Sequence, residues 1–391
     1  MSNEDLIALA RLVVAGGPVL PRRRLLEVHG GPSAALAAGP AAWREAGLAG
    51  AQLEALRCPG GDDVARVLAW LQAPGHHMIG WHEADYPAPL RRSASPPLAL
   101  FVDGDPGLLW RPAVAIVGSR SPTAGGRDNA HAFARALSST GIVIASGMAR
   151  GIDAVAHEAA LAAAGGTTVA VVGTGPDVAY PPQHVGLRDR IAGRGAVVSE
   201  HPPGVPALRS HFPARNRILA GLTLGTLVVE AAERSGALIT ARQAAEAGRE
   251  VFAVPGSIHN PMARGCHRLI REGAALVECA EDVIGALGPL AADLANALRE
   301  RLGETESGAL RGAAGAPGRL APDYQTLWDA LGHDPTGMDQ LVSRTGLTAA
   351  ELSSMLLVME LDGLVTAEHG RYQRKTGFFT STASSTQAEG Q

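Results

Sequence analysis

Residues 113–153 read AVAIVGSRSPTAGGRDNAHAFARALSSTGIVIASGMARGID, and this stretch decides the fold. The apolar run Ala113–Val117 enters Gly118-Ser119-Arg120. An amphipathic stretch follows, and a second apolar run, Ile142–Ala145, enters Ser146-Gly147. Strand, glycine turn, helix, strand, glycine turn opens a doubly wound α/β sheet. Ligands of such sheets sit beyond the carboxyl ends of the strands, where both glycine turns fall.

Downstream, apolar runs at Thr168–Val172, Ala196–Ser199, Thr226–Val229, Glu250–Val254 and Ala275–Val277 alternate with helical patterns. Those helices are predicted at Asp128–Ser138, Asp153–Ala164, Gln183–Arg194, Asn216–Leu222, Leu238–Ala247 and His267–Arg271. Most of the runs are apolar on both faces, as parallel strands buried under helices are. Residues 76–110 predict two short strands joined by an irregular segment, so one mostly parallel α/β domain spans 76–285. Residues 1–72 predict short helices broken by Gly and Pro, a bundle of the helix-hairpin-helix or sterile-alpha-motif type. Its Arg22-Arg23-Arg24 run reads as a solvated helix start in preference to a DNA-backbone contact.

Beyond the sheet, residues 286–321 are rich in Ala, Gly and Pro and predict a helix end followed by a flexible linker. Over 322–375, helices at Tyr324–Leu331, Met338–Thr345 and Ala349–Asp362 and a hairpin at Leu364–Gln373 make a winged-helix arrangement. The third of these helices carries no basic residue, which favours a protein contact over reading a DNA groove. Residues 376–391 read as a disordered tail.

Composition narrows the chemistry. The 391 residues carry a net charge of -4, but the charge is uneven. Residues 111–220 hold 11 Arg against 6 Asp and Glu, a local balance of +5 that suits a polyanion. Lys375 is the only lysine, so a Walker A lysine, a Schiff-base lysine and a lysine general base are all missing from the α/β region. Cys58, Cys266 and Cys279 form no CxxC pair, and His76, His77 and His82 have no further ligand at metal spacing, so no metal or cofactor is expected. No apolar run approaches a membrane span and the acidic start MSNEDLIALA is not a signal peptide, so a cytoplasmic location is expected.

Four loops carry the candidate site. Gly118-Ser119-Arg120 offers backbone N–H groups at a helix start beside a guanidinium, without the GxGxxG of a dinucleotide site. Ser146-Gly147 opens the second loop, in which Asp153 is suited to cap the next helix. The third is Gly173–Asp177 with Tyr180-Pro181-Pro182. In the fourth, Ser235-Gly236 precede a helix and supply another N-terminal anion site. Between the last two lies Phe212-Pro213-Ala214-Arg215-Asn216-Arg217, an aromatic beside two Arg and an Asn, a constellation for bases and phosphates. One of the two Arg is expected to pair with Glu200 or Glu230. Ser119, Ser146 and Ser235 lack a GxSxG elbow, and Glu230 is the one carboxylate that fits acid/base work. The loops look built to hold an anionic chain or a nucleotide without breaking a bond, so no enzymatic activity is expected.

Taken in order, VGSR (117–120), SGMARGID (146–153), GTGPDVAYP (173–181), Ser199-Glu200, FPARNRILAGL (212–222), VVEAAERSGALITA (228–241), VFAVPG (251–256) and GCHRLIREGA (265–274) resemble the DNA-processing protein A family, DprA or Smf. The resemblance covers roughly 76–285, and the flanking domains are similar to those some members carry. It implies an extended Rossmann fold and a cytoplasmic, homodimeric single-stranded-DNA-binding protein needing neither metal nor nucleotide. Such a protein guards incoming DNA in natural transformation and helps load the RecA recombinase. It also implies that DNA meets Ser119, Arg120, Ser146, Gly147, Phe212, Arg215, Asn216 and Arg217. Gln183 and His184 stand where members often carry a basic residue, and His267 where Asn is common. The alternative is a nucleotide-binding phosphoribohydrolase of the lysine-decarboxylase-like (LOG) class, with Glu230 in its site but without the PGGxGT that precedes it.

Overall fold

The structure is a computed structural model. It describes residues 2–57, 61–306, 322–331, 336–348, 352, 355–356, 359, 365–368 and 371–374. The chain divides into two compact units, Met1–Glu306 and Ser307–Gln391.

The first unit opens with six short helices: α1 (Asn3–Val14), α2 (Val19–His29), α3 (Pro32–Ala37), α4 (Gly39–Glu45), α5 (Gly50–Arg57) and α6 (Gly61–Trp70). Leu12, Leu25, Leu26, Trp43 and Leu56 form their own core. Leu9 and Val67 pack instead on Met78 and Phe101 of the sheet that follows. Arg22 departs from the expectation of a solvated helix start: it is only 4% exposed. Its guanidinium donates to the carbonyls of Leu12 (2.8 Å), Val13 (3.1 Å), Gly17 (2.7 Å) and Pro18 (3.3 Å). The end of α1 leaves carbonyls unsatisfied, and Arg22 satisfies them from the next helix. Arg23 lies over the Trp81 ring at 5.3 Å, a cation–π contact that also holds it to the protein.

A nine-stranded sheet follows: β1 (His76–Gly80), β2 (Ala99–Gly104), β3 (Ala113–Val117), β4 (Val143–Ser146), β5 (Thr168–Val171), β6 (Ala196–Ser199), β7 (Gly225–Val228), β8 (Glu250–Ala253) and β9 (Ala275–Leu276). Its order is β1-β2-β6-β5-β4-β3-β7-β8-β9. β1, β2 and β6 pair antiparallel, and every pairing from β6 to β9 is parallel. Ala113, Ala115 and Val117 enter one core while Val114 and Ile116 enter the other. That period of two with both faces buried is why the strands read as continuous apolar runs.

Helices α7 (Ala88–Arg91), α8 (Ala124–Ser139), α9 (Ile152–Ala162), α10 (Val185–Arg194), α11 (His211–Leu222), α12 (Ala237–Glu246), α13 (Arg264–Arg271) and α14 (Ala280–Glu306) complete the unit. α11 starts five residues ahead of the expected Asn216. Pro213 is compatible with this because the first turn of a helix has no intrahelical use for its N–H groups. From central β3 the chain winds outward through β4, β5 and β6 on one side, then returns to β7 on the other. The loops after β3 and β7 therefore part in opposite directions and leave a crevice at the carboxyl end of the sheet.

The second unit contains α15 (Pro322–Leu331), β10 (Thr336–Gly337), α16 (Met338–Thr345), β11 (Val365–Glu368) and β12 (Arg371–Arg374). β11 and β12 form the expected hairpin, and β10 adds a third strand against β12. Leu327, Leu331, Leu341, Leu352, Met355, Leu356, Met359 and Val365 make its core. Of residues 286–321, 286–306 continue α14 and 307–321 lie outside the described residues, as do most of the helix expected at Ala349–Asp362 and all of the tail.

Candidate nucleic-acid interface

The crevice between the β3 and β7 loops is a cleft of about 390 Å³ lined by Gly118, Arg120, Asp153, Phe212, Arg215, Asn216, Ser235 and Gly236, among others. Four segments distant in sequence thus meet where the sheet topology leaves room. Arg120 is exposed and has no ion-pair partner among the described residues. Asn216, one turn beyond Phe212, has no side-chain hydrogen bond among the described residues, so its amide is available to a ligand.

The structure divides the remaining expected contacts by what they already bind. Ser146 is fully buried, and its hydroxyl donates to the Ile116 carbonyl at 2.6 Å, bridging β4 to β3. It is a link within the sheet, not a ligand contact. The Gly147 N–H donates to the Asp153 carboxylate at 3.1 Å, as the Ala149 N–H does at 3.3 Å. Asp153 therefore ties its loop together, whereas the sequence suggested a cap on the helix that follows. A Cβ on Gly147 would overlap the Arg215 guanidinium, so a larger residue there would have to displace that buried side chain. Ser119 is buried, and its hydroxyl accepts from the Ser121 N–H at 3.0 Å.

One of the two Arg pairs with a carboxylate, as expected, and the other is engaged by a backbone carbonyl. Arg217 pairs with Glu200 across the loop after β6. Arg215 is 5% exposed and donates to the Val171 carbonyl at the end of β5. Burial lowers its pKa to about 10, so it stays charged at neutral pH and places a fixed cation beneath the cleft. Burial pushes the Asp153 carboxyl up, opposed by Arg215 and the two N–H donors. Arg215 acts on the cleft only through its field and the seat it makes for Gly147.

The anion site expected at Ser235-Gly236 is partly spent. Ser235 Oγ accepts from the Ala237 N–H at 3.2 Å, and the Leu238 and Ile239 N–H groups bond back to the Ser235 and Gly236 carbonyls. The dipole of α12 remains, with few free donors. Glu230, suggested for acid/base work, is 7% exposed and accepts from the Thr123 N–H (2.9 Å) and the Thr123 hydroxyl (2.6 Å). Thr123 in turn caps α8 by accepting from the Gly126 N–H at 3.0 Å. Glu230 thereby fixes the start of α8.

Three features escaped the sequence reading. His211 stacks on His201 with ring centroids 3.9 Å apart, seating the start of α11 between the β5 and β6 loops. Burial, with smaller contributions from His211 and Arg217, lowers the His201 pKa to about 4, so that ring is neutral near pH 7. Tyr180 meets Phe212 at 5.1 Å. Arg209 is exposed just ahead of α11 and Arg150 in the β4 loop, both without partners among the described residues. His267, by contrast, is held by the Gly256 carbonyl at 2.9 Å. Among the described residues no group of His, Cys, Asp or Glu is arranged to hold a metal, and no helix is long and apolar enough to cross a membrane.

The family model for DNA recombination-mediator protein A matches residues 77–288, and that for the DprA winged helix domain matches 311–371. The chain is 39% identical over 317 residues to Protein Smf of Escherichia coli strain K12, covering 78% of this chain and 79% of that protein. It is 35% identical over 377 residues to the putative DNA processing protein DprA of Mycobacterium tuberculosis, covering 93% and 90%. The X-ray structure of DNA processing protein A from Streptococcus pneumoniae superposes with a TM-score of 0.64 at 36% identity, covering 73% of this chain and 98% of that one. The chain belongs to the DprA/Smf family, and its second unit is the family's winged helix domain.

Proposed function

We propose that this member of the DprA/Smf family binds single-stranded DNA at the carboxyl end of its sheet, without breaking a bond in it. The observation that carries the reading is the convergence of an exposed Arg120, the buried cation of Arg215, an unengaged Asn216 and the Phe212 ring on one cleft. Guanidinium groups take phosphates in bidentate fashion, and an aromatic beside them takes an unstacked base. A duplex keeps its bases stacked and paired, and so offers none to such a ring. On this reading Arg120 contacts phosphate, Gly236 lets the strand approach, and Phe212 with Asn216 faces a base, while Gly118 makes room for Ile152 and the Glu230 carbonyl. Arg215, Arg217, Ser119, Ser146, Gly147 and Ser235 hold the frame.

Membership in the family supports the wider role: protection of incoming single strands in natural transformation and help in loading the RecA recombinase, by a cytoplasmic homodimer without metal or cofactor. The phosphoribohydrolase alternative loses its residue, since Glu230 is committed to Thr123.

The test is a gel shift comparing single-stranded and duplex DNA of equal length across a salt titration. Preference for the single strand, with affinity falling steadily as salt rises, supports the proposal. Equal affinity for the two, or binding indifferent to salt, rejects it.

A further inference from the structure

We infer that Tyr180, backed by Phe212, forms an aromatic bracket on whose exposed face one unstacked nucleobase stacks, adjoining the phosphate cleft and chemically separate from it. The inference rests on the reading of the cleft as a single-stranded-DNA site and extends it toward β5.

Tyr180 is 44% exposed, and its ring meets Phe212 with centroids 5.1 Å apart and planes tilted by 43°. Phe212 also lines the cleft, so the two rings carry an aromatic surface from the cleft edge outward to solvent. A single exposed aromatic is ordinary on a protein surface. This one differs in how firmly its loop is held. Thr174 Oγ1 donates to the Val178 carbonyl at 2.7 Å, and the Gly175 N–H to the Val205 carbonyl at 2.8 Å. Asp177 accepts from the Gly204 N–H at 2.8 Å, Ser199 Oγ donates to the Thr174 carbonyl at 2.5 Å, and His184 joins the Met148 carbonyl at 2.9 Å. A ring carried on so many fixed points loses little freedom when a base stacks on it.

The charge of the loop identifies the ligand group. Residues 173–187, GTGPDVAYPPQHVGL, contain Asp177 and no Arg or Lys. The next cation, Arg188, is taken by Asp103, Asp189 and the Pro176 carbonyl. The loop itself offers a phosphate a carboxylate and no counter-charge, whereas it offers the uncharged face of a base an exposed ring. Stacking of this kind tolerates any base.

The experiment measures binding of an oligo-dT and of the same strand with base-free sites at its central positions, for wild type, Tyr180→Ala and Tyr180→Phe. Tyr180→Ala should weaken binding of the base-containing strand by about 5- to 150-fold. It should leave the base-free strand and the salt slope unchanged, and Tyr180→Phe should behave as wild type. Equal losses on both strands, or no loss on either, overturn the bracket while leaving the cleft reading intact. Failure of wild type to bind either strand overturns the cleft reading, and the bracket with it.

Discussion

Arg120 follows β3 and Arg217 lies on α11, and their surroundings differ. Arg120 is exposed without a partner, whereas Arg217 is bound to Glu200 with side-chain exposures of 23% and 13% for the pair. For a single strand, each phosphate neutralised contributes a slope of about -0.7 to the log–log dependence of affinity on salt. Arg120→Ala should therefore flatten the slope by about 0.7, and between roughly 50 and 200 mM salt its deficit against wild type should shrink by about 2.6-fold. Arg217→Ala should leave the slope alone and lower stability by about 2 kcal/mol, because it strands a mostly buried carboxylate that still has some access to water. Fluorescence anisotropy on an oligo-dT at four salt concentrations, beside urea unfolding of each variant, separates the two. If Arg217→Ala flattens the slope and Arg120→Ala does not, the Glu200 pair opens on binding and the assignment of roles is wrong.

Two further predictions concern the frame. Arg22→Met removes a guanidinium that serves four carbonyls and should cost about 3 kcal/mol or more, read as a fall in the urea midpoint. Arg24→Ala, at an exposed position of the same run, should stay within about 0.5 kcal/mol of wild type. His157 is fully buried against the Thr168 hydroxyl, and burial lowers its pKa to about 3. The unfolded chain takes up a proton near pH 6.5 that the folded protein refuses, so stability is complete above that pH and lost as pH falls toward 3. Between pH 7 and 5 wild type should lose about 2 kcal/mol more than His157→Leu in paired urea titrations.

The parallel sheet was legible in the sequence because strands buried on both faces are apolar throughout. The runs from Ala113 to Leu276 fall within a residue or so of the strands. The start of α11 was not, because Pro213 reads as a break unless its place in the first turn is known. Arg22 is locally indistinguishable from Arg24, and only the end of α1, folded back on it, makes one a staple and leaves the other free. The loop Ser146-Gly147 failed for the same reason. A glycine that makes room for a ligand and one that makes room for a side chain look alike in sequence, and here the side chain is Arg215, from a helix far along the chain.

The same logic applies to the local charge of +5. Of the eleven Arg in 111–220, Arg127, Arg188, Arg194, Arg215 and Arg217 are committed to protein oxygens. Arg111 precedes β3, and Arg135 and Arg190 lie on the later turns of α8 and the middle of α10, away from the carboxyl end of the sheet. That leaves Arg120, Arg150 and Arg209, each on a loop at that end and each without a side-chain partner among the described residues. A count of arginines thus overstates the interface severalfold. The structure reduces it to three free guanidinium groups at the carboxyl end of the sheet, of which Arg120 lines the cleft beside the buried Arg215. Three contacts correspond to a total slope of about -2 from this unit. A measured slope much steeper than that places further phosphate contacts outside these loops.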